Sequence, residues 1–343
     1  YEISCSLVGS EMCIRDRKYI FQEAVMIFKL IDLQYINIIT FISLIAAFLT
    51  TCLIIKSCQG MLPRDQGRAF AINGKVSQGK PRGAGILFIL VFSLFSLLFV
   101  PYSNEFLIYI ILVIASMVSG YLDDSSKSPW GEYKKGLIDL VIALAAAFTY
   151  VNYNGTTINF GYSDAGVTIP VWLFIILAVI LIWVSINVTN CTDGVDGLSG
   201  TLSLITLGTM YGICRIKDTD SAFMHMILLF SVCVLAYLWF NASPSRLLMG
   251  DAGSRAIGFF IAICALKTGS PLLYIPAAIV IILDGGLGLV KVFLLRFLKI
   301  KILANTRTPL HDHARKNKNW SDTQVVFRFA ILQLIVSLAL LFA

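Results

Sequence analysis

The chain is poor in charge: Asp, Glu, Lys and Arg make up 14% of its 343 residues, where a soluble domain carries about 25%. That shortage excludes an ordinary globular surface. Histidine is scarcer still, with three in all. The cysteines, at positions 5, 13, 52, 58, 191, 214, 233 and 264, include no CxxC pair. Most lie in or beside apolar segments, where a thiol behaves as a small hydrophobe, so neither a disulfide framework nor a zinc site is expected. A signal peptide is also missing from the start. Residues 1–17, Tyr-Glu-Ile-Ser-Cys through Arg-Asp-Arg, have neither a spanning length nor an apolar centre. They are expected to be a cloning or sequencing scar, leaving 18–343 as one transmembrane helical domain.

What is plentiful is apolar surface, at 57% of residues and a mean hydropathy of +0.82. Runs near the length that crosses a hydrocarbon core of about 30 Å recur at 36–55, 83–100, 105–122, 137–151, 170–186, 198–213, 222–240, 256–268, 272–297 and 325–343. The expected fold is therefore all-α, a polytopic membrane protein of about ten transmembrane helices. A kink is expected in the ninth at Gly285-Gly-Leu-Gly288. Loops following odd-numbered helices carry six, three, none, two and seven Lys or Arg, whereas the opposite loops hold Arg215 and Lys217, with Lys267 at the border. The positive-inside rule makes the first side cytoplasmic and places both termini outside. Cations gathered there suit anionic lipid heads and anionic substrates, with no nucleic acid implied.

Polar clusters collect on the same side. Asn187, Asn190, Asp193 and Asp196 punctuate a run whose Gly194, Gly197 and Gly200 predict a broken helix end or tight turn, so that two amides and two carboxylates face one polar space. Asp123 and Asp124 close the third helix, with Lys127 one turn on from Asp123; a solvated helix end with an i, i+4 ion pair is the alternative. Asp251 stands between Gly250 and Gly253, an arrangement open to ligand approach or to simple helix capping. His311, Asp312 and His313 precede Arg315, Lys316 and Lys318 and suit a phosphate better than a two-histidine metal site. Gly74-Lys-Val-Ser-Gln-Gly-Lys80 has Walker A spacing, but Pro81 replaces the magnesium-binding hydroxyl and no strand precedes it. Asp284 and Lys291, two turns apart inside the ninth helix, either face a polar cleft together or neutralise each other. Aspartates near a hard cation, flanked by Lys, Arg and His, are what phosphoryl transfer requires.

In this order, Asp123-Asp-x-x-Lys127, Asn187-x-x-Asn-x-Thr-Asp-Gly-x-Asp-Gly-Leu198, Met249-Gly-Asp-x-Gly-Ser254 and Pro309-Leu-His-x-His313 resemble the motifs of the polyprenyl-phosphate N-acetylhexosamine 1-phosphate transferases. The resemblance runs from about residue 56 to the C-terminus and is nearest the branch acting on MurNAc-pentapeptide. It implies a homodimer in the bacterial cytoplasmic membrane, and a Mg2+-dependent transfer of phospho-MurNAc-pentapeptide from UDP-MurNAc-pentapeptide to undecaprenyl phosphate, giving lipid I and UMP at the cytoplasmic face. Asp123 and Asp124 match an aspartate pair proposed to deprotonate the lipid phosphate; Asp251 matches the magnesium-binding aspartate, alternatively a nucleophile. Lys127, Asn187, Asn190, Asp193, Gly194, Asp196, Asn241, Lys291 and the His311-Asp312-His313 stretch match substrate-binding positions. Four departures stand out: His311-Asp-His313 in place of three histidines, Leu248 where an aromatic usually precedes Met-Gly-Asp, Asp284 and Lys291 for a Glu and a Gln, and Gly79-Lys-Pro-Arg-Gly-Ala-Gly85 for a threonine-rich loop. A sister enzyme transferring phospho-GlcNAc to the same lipid is the alternative. A secondary transporter would place its ionisable groups near the bilayer midplane instead.

Overall fold

The computed structural model describes residues 36–67, 77–126, 128, 130–163 and 165–342. Residues 1–17, Arg68, Lys75 and Lys127 lie outside the described residues. Among the described residues the regular structure is helical apart from one two-stranded hairpin. In order come α1 (Ile36–Cys58), α2 (Gly85–Phe99), α3 (Asn104–Asp124), α4 (Glu132–Asn154), β1 (Thr157–Asn159), β2 (Gly166–Thr168), α5 (Val171–Thr192), α6 (Leu198–Ile216), α7 (Ser221–Asn241) and α8 (Gly250–Lys267). Then follow α9 (Pro271–Ala277) and α10 (Ile279–Leu298), bent 72° against each other, the amphipathic α11 (Leu310–Asn317) and α12 (Asp322–Leu341). Each of the ten expected apolar runs is helical. Among the described residues, six helices are long and apolar enough to cross a membrane, or seven if the bent pair forms one span, which makes this a multi-pass membrane chain.

The outer helices turn apolar side chains outward. On α1, Ile38, Phe41, Ile42, Ile45, Leu49 and Leu53 form an exposed stripe at helical spacing, the arrangement a lipid solvent favours. Helix α8 is the opposite case, since every residue from Gly250 to Leu266 is buried. It packs most extensively against α3 and α5. Small residues permit the approach: a methyl group at Gly120 of α3 would overlap the backbone of Asp251, and one at Gly85 the backbone of Gly253.

Two ion pairs tie α8 to its neighbours at different depths. Arg255 pairs with Asp139 of α4, both side chains 3% exposed. At the far end Lys267 bonds Glu105 of α3 at 3.0 Å and Asn154 Oδ1 of α4 at 2.9 Å, with the Tyr109 hydroxyl donating to Glu105. Buried charge survives in an apolar bundle only when paired in this way.

The expected kink is displaced. The break falls at Ala278, ahead of the glycines, where Gln333 of α12 supplies the missing backbone partners: its Oε1 accepts from Val280 N at 3.0 Å, and its Nε2 donates to Ala277 O at 3.0 Å and Pro276 O at 3.3 Å. Pro276 has no N–H to continue the helical ladder, so this is where the helix gives way. Gly285 and Gly286 sit instead in a widened π-helical turn, Ile282–Gly286, that carries Asp284. The eighth helix also starts six residues earlier than expected, at Gly250, which draws Asp251 into its first turn.

Asp139→Ala leaves Arg255 buried without its counter-charge. A loss of about 3–5 kcal/mol is expected, read as a lowered thermal midpoint in detergent. Asp139→Ala combined with Arg255→Met should regain most of it, and a single variant as stable as the parent would show that the pair contributes nothing.

Candidate active site

The ends of α3, α5 and α7 and the starts of α4, α6 and α8 meet at one face, and the polar residues from the sequence motifs lie there. The segment entering α2 joins them through backbone bonds: Leu248 N to Pro81 O at 2.8 Å, Ala84 N to Leu248 O at 3.0 Å and Gly85 N to Met249 O at 3.1 Å. This strap fixes Arg82 over the start of α8.

Arg82 is the hub of a carboxylate cluster. Its Nε reaches Asp124 Oδ1 at 2.8 Å, Nη1 reaches Asp65 Oδ1 at 3.1 Å and Nη2 reaches Asp251 Oδ1 at 3.4 Å. Burial by itself lowers the guanidinium's pKa, but the charges of Asp124 and Asp251 and the hydrogen bonds to Asp65 and Asp124 outweigh it and raise the value. Lys135 forms the second bridge, to Asp123 and, at 3.0 Å, to Asp251 Oδ2. Asp123 also accepts Trp130 N at 2.7 Å, and Asp124 Oδ2 accepts Ala252 N at 3.1 Å in the first turn of α8. The free N–H groups and positive dipole end of α8 thus face Asp124, whereas Asp251 is engaged by the side-chain cations Arg82 and Lys135. Gly250, at φ +69, has no room for a side chain beside Asp124.

Around this centre the other predicted residues divide by role. Asn190 donates to Ser254 Oγ of α8 at 3.0 Å, while Asn187 turns back to Trp183 O on its own helix at 2.8 Å. Helix α5 runs on through Thr192, so the glycine-rich turn is confined to Asp193–Gly197, with Gly197 left-handed at φ +84. Asp193 ends α5. Asp196 accepts Ser245 N at 2.9 Å and lies 3.5 Å from Lys80 Nζ; Asn241 accepts Gly197 N and donates to Leu247 O. These bonds lock the 193–197 turn to the 241–249 loop. The four polar residues of the 187–196 run therefore do not share one set of contacts.

The last loop adds a third wall. His311 lies 2% exposed, its backbone N–H and ring Nδ1 both bonded to Asp284, and its ring edge rests on Gly194, where a methyl group would meet Nε2. Asp284 is thus matched with His311 and not with Lys291. Lys291 Nζ donates to Leu303 O at 3.0 Å and Thr306 O at 2.9 Å, shaping the 303–306 loop. His313 Nδ1 accepts Arg307 N at 3.3 Å, and Asp312 lies 3.7 Å from Arg315. Beside them opens a depression of about 710 Å³ lined by Lys291, Asn305, Arg307, Asp312 and Lys316 among others.

The motifs exposed Asp123, Asp124 and Asp251, but not Arg82, Lys135, Asp65 or Lys80. In the sequence Lys80 and Arg82 belong to a basic 56–82 loop suited to phosphates or lipid heads, and nothing singles out Lys135 or Asp65. Among the described residues no three His, Cys, Asp or Glu side chains gather closely enough to hold a metal unaided.

Residues 106–269 match the family model described as glycosyl transferase family 4. A phospho-N-acetylmuramoyl-pentapeptide-transferase of Treponema pallidum (strain Nichols) is 39% identical, over 90% of each chain. Proteins of the same name from Wolbachia sp. subsp. Drosophila simulans (strain wRi) and Dictyoglomus turgidum are each 26% identical, covering 75% and 88% of this chain and 82% and 96% of their own lengths.

Arg82→Gln removes the charge that joins three aspartates, and turnover should fall by about 10²- to 10³-fold with folding retained by size-exclusion profile. Activity within threefold of the parent would remove Arg82 from the site's electrostatics. Gly194→Ala places a methyl on the His311 ring, and a loss of about tenfold in kcat/KM for the nucleotide substrate is expected; an unaltered value would mean the ring yields freely.

Proposed function

The chain belongs to the phospho-N-acetylmuramoyl-pentapeptide-transferase family, and on that premise we propose how its own residues carry out the reaction. It transfers phospho-MurNAc-pentapeptide from UDP-MurNAc-pentapeptide to undecaprenyl phosphate, producing lipid I and UMP. The observation that carries the site assignment is the junction of Asp123, Asp124 and Asp251 by Arg82 and Lys135 at one end of the bundle.

An oxygen of the lipid phosphate attacks the phosphorus that bears the sugar, and the bond from that phosphorus to the UMP oxygen breaks. Asp123 or Asp124 accepts the proton of the attacking phosphate. Negative charge grows on the departing UMP, where Arg82 and Lys135 can offset it; stabilisation of this kind supplies most of the rate in phosphoryl transfer. The reaction is written here as a direct displacement, with Asp251, both of whose oxygens meet cations, holding charge in place.

The donor set suits a divalent cation. Asp65, Asp123, Asp124 and Asp251 around Arg82 and Lys135 leave a formal surplus of two negative charges, and magnesium is usually held by one or two carboxylates together with substrate phosphates. Asp251 would hold Mg2+ together with the substrate phosphates. When bound, the ion neutralises phosphate oxygens and lends Lewis acidity. Asn187, Asn190, Asp193, Gly194, Asp196, Asn241 and the 311–313 stretch line the nucleotide side in this reading, with Lys291 shaping the adjoining loop. Ten spans, both termini outside, a homodimer of the 18–343 domain, and a cytoplasmic-facing site in the bacterial inner membrane complete it. The cation-rich loops at the site's end of the helices support that orientation.

The test is transfer of labelled sugar phosphate to undecaprenyl phosphate by purified protein, with UDP-MurNAc-pentapeptide or UDP-GlcNAc as donor. Magnesium-dependent lipid product from the MurNAc donor is expected, along with its loss in Asp251→Asn at unchanged folding. Product from the GlcNAc donor alone would overturn the substrate assignment, and a phosphoryl group trapped on Asp251 by mass spectrometry would overturn the direct displacement.

A further inference from the structure

The Asp284–His311 pair is buried and distant in sequence from the aspartate cluster, and it belongs to no step above. Asp284 is fully buried. It sits in the π-helical turn of α10, and its two carboxylate oxygens are divided between the backbone N–H of His311 at 2.7 Å and ring Nδ1 at 2.8 Å. This bidentate hold fixes both the position and the rotation of the imidazole. A carboxylate only accepts hydrogen bonds, so with Asp284 in that form the contact holds the ring as its Nδ1–H tautomer.

The other ring nitrogen, Nε2, is turned away from that carboxylate. It faces Gly194 in the Asp193–Gly197 turn, with Asp312 Oδ1 at 3.9 Å. A histidine whose far nitrogen is held by a carboxylate, and whose near nitrogen looks into a polar turn, is the arrangement in which a second group sets the tautomer for a first.

We propose that Asp284 is a positioning residue: it holds His311 so that Nε2 is presented to the nucleoside diphosphate part of the soluble substrate, across the Asp193–Gly197 turn. This rests on the function proposed above. Removing the carboxylate frees the ring to rotate and to change tautomer, with the loss falling on the nucleotide substrate and passing through His311.

Because the chain has three histidines, 15N-histidine labelling of the full chain in detergent gives a spectrum simple enough to read, with the His311 signals identified by their loss in His311→Gln. The wild type should show Nδ1 protonated. In Asp284→Asn the His311 ring signals should move, and kcat/KM for UDP-MurNAc-pentapeptide should drop about 10- to 100-fold while KM for undecaprenyl phosphate stays within twofold. In a His311→Gln background the same substitution should add less than a twofold loss, because coupled residues are not additive. Asp284→Glu should recover part of the activity. Unmoved ring signals in Asp284→Asn, or losses that multiply in the double variant, would overturn the proposal. Should Asp284→Asn fail to fold, the ring spectrum of Asp284→Glu decides: the added methylene must displace the Nδ1 signal, and an unchanged spectrum is a negative result. A wild type that ignores the MurNAc donor would defeat the functional reading, while the ring spectra would still decide the positioning role.

Discussion

Carboxylates cannot be gathered beside a lipid phase unless cations are gathered with them, and that constraint organises this molecule. Arg82 and Lys135 satisfy it by joining Asp65, Asp123, Asp124 and Asp251. The cations come from elements remote in sequence, the strap before α2 and the start of α4. The charge network therefore also decides how α2, α3, α4 and α8 meet. Helix α8 can lie at the centre because small residues on it and on its neighbours let backbones touch, and because Asp139 and Glu105 meet its own two cations.

The fold was legible wherever a single physical rule governed a stretch. Apolar runs of near-spanning length located every helix but the amphipathic α11, since in lipid a backbone has few alternatives to internal hydrogen bonding. The Asp123-Asp124 pair and the glycine-flanked Asp251 were legible because acid at the end of an apolar run is costly and local. The break in the ninth helix was misplaced for an instructive reason. Glycine suggested weakness at 285–288, yet a break also needs partners for the groups it frees, and Gln333 provides them more than fifty residues away.

Arg82 and Lys135 stayed hidden for the same reason. Along the chain they are two among many loop cations; only tertiary structure selects them. In the run from Asn187 to Asp196 the turn expected at the glycines is present, and its polar residues take separate partners: Asn187 bonds its own helix, Asn190 bonds α8, and Asp196 anchors the 241–249 loop. Spacing reports where side chains start. It does not report which neighbour each will find.

The Gln333 clamp has a bearing on how the protein is made. The groups it satisfies belong to a bend that aims α10 and, with it, Asp284 toward the site. Gln333 lies in α12, more than fifty residues beyond the bend, so the bend has no such side-chain partner until α12 has been made and has packed against it. The aspartate cluster, built from residues 65–251, can close earlier. The order of residues along the chain thus lets the aspartate cluster form before the Gln333-braced bend that carries Asp284 is complete.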